Sequence, residues 1–439
     1  MEDKIFEKIE KDNVKFIQLQ FSDILGIAKS LTIPVRYLSD ALNDGTWFDG
    51  SSIEGFTRIC ESDMYLVPDI DTYSVIPWLN SEDGNTARFI CNIYTPDGIL
   101  FKGDPRCILK RVIAEAKKIG FVYNTGPELE FFLFKKENGI RALPHDKGGY
   151  FDLTTDQAYN VRRDMTVALE KFGIDIETSH HEVALGQHEI SFKYSDALKT
   201  ADNAVTFKTV LKAIAQQNDL YATFMPKPIA GINGSGMHVH QSLFDIKTGK
   251  NAFYDEGDKY HLSKTAYNFI AGQLAHIKAM SAILSPTINS YKRLVPGYEA
   301  PVYICWGRIN RSALVRIPRY AKGKYNSTRA ELRCPDPSSN IYLTFAVMLA
   351  AGLDGIKRNL AAPKPVEENL YKLTDAELKI DTLPKSLEEA LGELKKDKLI
   401  QDALGKHTYE KFLEAKTEEC DEYNLQVSKW ELDRYLEVY

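Results

Sequence analysis

The segment Gly231–Phe244, GINGSGMHVHQSLF, constrains this chain more than any other. Directly after a glycine-rich turn it places His238, His240 and Ser242 at alternate positions. Side chains two apart on a strand share a face, so the run predicts a strand with one polar wall. The same spacing recurs in ELEFFLF, with Glu128 and Glu130, and in RAELR, with Arg329, Glu331 and Arg333. A buried sheet ordinarily carries Val and Ile at such positions. Three ionisable ladders in their place predict a polar site built on the face of a sheet.

Composition narrows the partners. With 439 residues the chain has room for two or three domains and a large core. A net charge of −6, with no long basic run, gives no ground for a nucleic-acid partner. No apolar segment approaches membrane-spanning length; AVMLAAGL near Ala346 is among the longest. The N-terminal MEDKIFEKIEKDN lacks the hydrophobic centre of a secretory signal. Six scattered cysteines without a CxxC pair read as free thiols in a reducing cytoplasm.

The first hundred residues read mostly as short strands such as VKFIQLQF and ARFICNIY. A helix follows over 105–118, with Asp104 as N-cap, Pro105 at N1, Lys117 and Lys118 in the last turn and Gly120 as the stop. This change of pattern places a domain boundary near 96–104. Ladder strands then mix with helices, one near Asp202–Gln217. Beyond APKP at 362–365 the chain becomes helical and charged, as in SLEEALGELKKDKL, whose charges read as a solvated face.

Two constellations carry chemistry. The acidic one comprises Glu128, Glu130, Glu182, Glu189 and Glu331, with His238. Like charges about 4 Å apart cost about 4 kcal/mol at a surface-like dielectric, so a cation or a proton must offset them. Oxygen ligands with a single imidazole suit Mg²⁺ or Mn²⁺ better than zinc. The ligand count accommodates more than one ion, and paired ions fit phosphoryl transfer. The cationic set is Arg293, Arg308, Arg311, Arg316, Arg329 and Arg333, whose planar forks match carboxylate or phosphate oxygens. No GxxxxGK[ST] loop, dinucleotide fingerprint or GxSxG elbow occurs, so phosphates would be held by arginines and ions. From the residues alone, the chain reads as a metal-dependent enzyme that handles phosphate and a small anion.

Eight segments, in order, resemble the class I glutamine synthetases: FDGSSIEGF, GPELEFFLF, GGYFD, HHEVALGQHEI, NGSGMHVHQS, RLVPGYEAP, NRSALVRIP and RAELRCPDP. The resemblance implies an α+β chain: an N-terminal β-grasp domain over 1–100, then a catalytic α/β domain over 104–439. The latter would have a curved antiparallel sheet and a helical C-terminal region. It further implies a cytoplasmic homo-dodecamer of two stacked hexameric rings, with active sites between adjacent subunits. The implied reaction phosphorylates the γ-carboxylate of glutamate with ATP, and ammonia then displaces phosphate to give glutamine. At least two Mg²⁺ or Mn²⁺ ions would serve each site, one held by Glu130, Glu182 and Glu189, the other by Glu128, His238 and Glu331. Glu177, His240, Ser242, Arg316 and Arg329 would contact ATP; Asn233, Gly234, Arg293 and Arg333 would bind glutamate. Arg311 would touch the transferring phosphate. Asp49 and Ser52 from a neighbouring subunit, with Tyr150, would form the ammonium pocket, and Glu299 lies on the implied flap.

Departures from the family pattern also inform. Lys372 follows Tyr371 where the adenylylated branch has an acidic residue, which implies a short branch without that regulation. Arg58 matches the arginine of glutamine feedback, and an ordinary intersubunit ion pair is its alternative. Asn326 stands where some members have a lysine near ATP, with Lys324 displaced. Ligases that join glutamate to bulkier amines, metal-dependent hydrolases and non-catalytic relatives remain the rival readings. Retention of Asp49, Ser52 and Tyr150 favours ammonia over the first.

Overall fold

The computed structural model describes residues 2–53, 63–136, 140–296, 300–310, 312–368 and 380–439. The chain opens with α1 (Glu2–Lys11), β1 (Val14–Ser22), β2 (Ala28–Pro34), α2 (Leu38–Asn43), β3 (Thr46–Asp49), β4 (Asp63–Pro68), β5 (Ser74–Val75) and β6 (Asn85–Tyr94). The sheet runs β2-β1-β6-β4-β3 with β5 against β6; β1 and β6 are parallel and the other pairs antiparallel. Alternation in β1 sends Ile17, Leu19 and Phe21 inward against Phe89 and Ile93. The charged N-terminus gave no helix signal in the sequence reading. It nevertheless forms α1, because Ile5 and Ile9, one turn apart, bury against that same core.

The larger part comprises α3 (Pro105–Lys118), β7 (Phe121–Lys136), β8 (Ile140–Pro144), α4 (Tyr159–Lys171), β9 (Ile176–His181), β10 (Gln187–Phe192), β11 (Ser195–Asp196) and α5 (Ala197–Gln217). There follow β12 (Leu220–Thr223), β13 (Met237–Asp245), α6 (Lys264–Leu284), α7 (Ser290–Arg293), β14 (Tyr303–Gly307), β15 (Ala313–Arg316), β16 (Ala330–Leu332) and α8 (Ile341–Lys357). Four helices finish the chain: α9 (Leu387–Leu394), α10 (Lys398–Leu404), α11 (Lys406–Asn424) and α12 (Lys429–Tyr435). The second sheet has the order β14-β15-β16-β13-β7-β10-β9, with β8, β11 and β12 also pairing along the long strand β7. Only β14 and β15 run parallel among its described pairs.

Local signals explain the helix ends. Asp104 caps α3 by accepting from the Arg106 N–H at 3.0 Å, and Gly120 follows with φ +92°. Helix α5 starts earlier than apolar spacing indicates, because Asp196 accepts from the Lys199 N–H at 3.1 Å. The charged C-terminal run is divided between α9 and α10: Asp397 caps the second by accepting from Ile400 N–H, and its other oxygen meets His276 Nδ1 at 2.6 Å.

Helices cover one face of the large sheet. Leu129, Phe131, Ile190, Met237 and Val239 share a core with Phe207, Leu211, Phe269 and Phe345. Ile24, at the β1–β2 turn, belongs to this core too, and Asn340 Nδ2 donates to the carbonyls of Asp23 and Ile24 at 3.0 and 3.1 Å. The tip of the first hairpin is thereby fastened to the start of α8. Helices α6 and α8 meet backbone to backbone: a Cβ on Gly272 would stand 2.1 Å from Ala351 O, and one on Gly355 2.0 Å from Asn268 O. Gly272→Ala is expected to cost at least about 1–3 kcal/mol, as overpacking does. An unchanged urea midpoint would mean that the two helices have room to part.

Candidate active site

The pairing register of β7 builds the polar wall. In antiparallel pairs directly opposed residues project on the same face. Glu128 lies opposite His238, Glu130 opposite Glu189, and Glu189 opposite His180. Across β13, His240 lies opposite Glu331, and Glu331 lies opposite Arg316. Residues far apart in sequence therefore share one side, while Leu129, Phe131 and Val239 point to the helices.

Two groups of donors gather there. In the first, atoms of His180, Glu182 and Glu189 lie within 4.8 Å of one another. His180 Nε2 meets Glu182 Oε1 at 2.8 Å, and Ser191 Oγ donates to Glu189 at 2.9 Å. Glu130 adjoins them; its Oε2 accepts from Gln187 Nε2 and from the Gly236 N–H, both at 2.9 Å. Burial and the charge of Glu182 push the Glu130 carboxyl up to about 8. Burial and the charges of Glu128, Glu130 and Glu182 do the same to Glu189. These carboxyls hold protons where a cation would relieve them.

In the second group, Glu128, His240 and Glu331 approach within 4.8 Å. His240 Nε2 is 2.9 Å from Glu128 Oε1, while His238 Nδ1 stands 3.8 Å from Glu128 and 3.7 Å from Glu331. The sequence reading gave His238 to the ion and His240 to the nucleotide; here both imidazoles adjoin Glu128, and His240 joins it and Glu331 in the group within 4.8 Å. Arg329 Nε faces His240 Nδ1 at 3.2 Å, so that nitrogen accepts and Nε2 carries the hydrogen toward Glu128. Burial and the Arg333 guanidinium push His238 down, which keeps its ring neutral. Glu331 is 1% exposed, with Arg316 Nε on one oxygen and Arg333 Nε on the other. Burial alone would raise its pKa, but the guanidiniums of Arg333 and Arg316 outweigh it and hold the carboxylate ionised.

Two cavities flank the wall. One of about 260 Å³ is lined by Glu177, Glu128, His240, Ser242 and Arg329, all five of which the sequence reading placed at ATP or at an ion. Tyr194, Asn326 and Ser327 line it as well, and sequence reasoning did not assign them there. Asn326 was noted only as standing in place of a lysine. The other, of about 50 Å³, joins Asn233, Gly234, Arg293 and Arg333 to Glu130, Glu182 and His238. Arg293 is buried, donating Nη1 to the carbonyls of Cys334 and Pro335 and Nη2 to that of Arg333. Arg308 is not drawn in: it packs on the Tyr260 ring and lines neither cavity.

His180 and Gln187 were also missed. The HHE spacing, with His180 two before Glu182, was the available signal for the first. Tyr150 is half-exposed, stacks on Phe151 at 4.0 Å and meets the His180 ring edge-on at 5.7 Å. Phe151 adopts φ +61°, a strained conformation for a bulky residue. Asp49 is exposed at the end of β3, accepts from the Ser51 N–H at 2.8 Å and lines neither cavity. Arg58, Glu299, Arg311 and Tyr371 lie outside the described residues, as does the side chain of Ser52.

The raised pKa values give a prediction. With no divalent ion, the folded chain keeps protons on Glu130 and Glu189 at a pH where unfolded glutamates are ionised. The folded state then binds more protons, so its stability falls as pH rises from the ordinary glutamate range to about 8. Adding Mg²⁺ at neutral pH is expected to release about one to two protons per chain, fading above pH 9. Calorimetry in buffers of different ionisation enthalpy measures this; release that is absent at pH 7 would contradict it.

Comparisons with known proteins agree with this geometry. The family model "Glutamine synthetase, beta-Grasp domain" matches residues 13–96, and "Glutamine synthetase, catalytic domain" matches 102–435. Relatives named glutamine synthetase include those of Clostridium saccharobutylicum (55% identical; 99% of this chain and 98% of the relative covered) and Thermus thermophilus (54%; 99% of each). The solved structure described as "GmaS/ADP complex-Conformation 1" superposes with a TM-score of 0.90 at 31% identity, covering 99% of both chains. With a matched β-grasp sheet, a matched catalytic sheet and both carboxylate groups on its polar wall, the chain belongs to the glutamine synthetase family.

Proposed function

We propose that this chain ligates ammonia to L-glutamate at the expense of ATP, through γ-glutamyl phosphate, to give glutamine, ADP and phosphate. The observation that carries this reading is the single polar face on β7, where both carboxylate groups adjoin the two cavities. A carboxylate resists attack because oxide is a poor leaving group; phosphorylation provides a better one.

The donor set fits divalent cations: five carboxylates and an imidazole, with protons already standing in on Glu130 and Glu189. Glu130, Glu182 and Glu189 would hold one Mg²⁺ or Mn²⁺, and Glu128, His238 and Glu331 a second. Ions bound there neutralise charge on the phosphates during transfer. Glu177, His240, Ser242, Arg316 and Arg329 contact the nucleotide, while Asn233, Gly234, Arg293 and Arg333 bind glutamate. Arg311 serves the transferring phosphate. Ammonium has no free lone pair, so Asp49, with Ser52 and Tyr150, binds it and takes a proton. Glu299 lies on the segment that closes over the acyl phosphate and keeps water out.

The exposed position of Asp49, away from both cavities of its own chain, supports a ring in which a neighbour supplies it; we propose the double hexamer. Arg58 is proposed for glutamine feedback, Tyr371 is proposed to escape adenylylation because Lys372 follows it, and the cytoplasm is the proposed compartment. The described cysteines are free thiols, and no described helix is long and apolar enough to cross a membrane. An ADP-release assay with glutamate and either ammonium or putrescine tests the reaction. Ammonium-dependent release is expected; equal or greater turnover with putrescine would transfer the enzyme to a bulkier amine.

A further inference from the structure

Among the described residues one more group has the composition of a metal site: Asp146, His181 and His188, all buried, with donor atoms within 4.8 Å. Its hydrogen bonds identify it as something else. His181 directs Nε2 to Asp146 Oδ1 at 2.9 Å and Nδ1 to the Glu182 carbonyl at 2.6 Å. Both acceptors require an N–H, so neither ring nitrogen keeps a lone pair for a cation. His188 Nδ1 faces Arg162 Nη1 at 3.0 Å, and a guanidinium can only donate, so that lone pair is spent as well. Arg162 is itself held by both oxygens of Asp156, at 2.9 and 2.6 Å.

This clamp grips the first carboxylate group. Asp146 Oδ1 also accepts from the Gly186 N–H at 3.2 Å, in the turn that carries the chain from Glu182 back to Glu189. Its Oδ2 accepts from the Gln157 N–H at 3.0 Å. The carbonyl of His181 takes the Phe151 N–H at 3.2 Å, beside Tyr150. Gly148 passes so close that a Cβ there would stand 2.8 Å from His181 Nε2. One buried pair therefore fixes the backbone of Glu182, the turn to Glu189 and the loop of Tyr150.

We propose that Asp146 and His181 are positioning residues, setting Glu182 and Glu189 for their ion and the Tyr150 loop for the ammonium pocket. The proposal deepens the reading above and rests on it for the identity of that ion site. Partners behind metal ligands commonly change metal affinity about 10–100-fold when replaced.

The test is Mn²⁺ binding to the full-length, metal-free protein, followed by electron paramagnetic resonance. In Asp146→Asn the class of site that Glu189→Gln also weakens is expected to lose affinity by about 10–100-fold, with the other class unchanged. The KM for ammonium should rise while that for ATP stays level. Gly148→Ala, which presses on His181 without removing a charge, should act in the same direction, and it decides the matter if Asp146→Asn does not fold. Asp156→Asn loosens Arg162 but breaks no hydrogen bond to His181 or Glu182, so it should lower Tm and leave Mn²⁺ binding intact. Parental Mn²⁺ affinity in both Asp146→Asn and Gly148→Ala, with only Tm reduced, would overturn the proposal. A parent that binds Mn²⁺ yet makes no glutamine would reject the proposed reaction and leave the clamp standing.

Discussion

Asp49→Ala is expected to lower glutamine formation by about 10²–10⁴-fold, the range a positioned general base contributes, while ATP binding stays intact. Asp49 sits at the end of β3, exposed, and lines neither cavity beside the polar wall. Raising the pH should restore part of the rate, because free ammonia then needs no base to release its lone pair. If the residue serves an adjacent subunit, co-expressing Asp49→Ala with Glu331→Ala chains should return activity in mixed rings. Some sites would draw an intact Asp49 from one chain and an intact Glu331 from the other. Unaltered turnover with ammonium in Asp49→Ala would end the assignment.

Glu331→Ala should be the more damaging change, because it removes both chemistry and support. Its carboxylate is almost wholly buried and answers Arg316 on one oxygen and Arg333 on the other. Removing one partner of a buried charge cluster typically costs about 3–5 kcal/mol, since the remaining charges stay desolvated. Thermal unfolding should therefore shift down even without ions or nucleotide, and catalysis should vanish. Glu331→Gln, which keeps an acceptor, is expected to recover part of the stability and none of the activity. A Glu331→Ala protein with parental Tm would show that water replaces the carboxylate between the arginines.

Much of this arrangement was legible in the sequence because period-two patterning is a local property. The spacing of Glu128 with Glu130, of His238 with His240 and Ser242, and of Arg329 with Glu331 and Arg333 placed each set on one side of a strand before any pairing was known. Helix α3 was legible for a similar reason, its cap, first proline and terminal glycine lying within one short segment. What spacing does not encode is which strands pair and in what register. That is why the place of His240 beside Glu128 and Glu331, and of His180 opposite Glu189, went unassigned. The clamp of Asp146 on His181 depends on a contact across 35 positions. Helix α1 was hidden because only two apolar residues anchor it, both against strands that come later in the chain.

The two sides of β7 have a joint consequence for how this protein reaches its native form. A slip of one position in its pairing with β13 or β10 would turn Glu128, Glu130 and Glu189 under the helices and Leu129, Phe131 and Ile190 out to water. No compact alternative of that kind could survive, so the carboxylates of the polar wall also proofread the assembly of the sheet. Neutralising several of them at once should yield chains that mispair and aggregate before they are ever assayed.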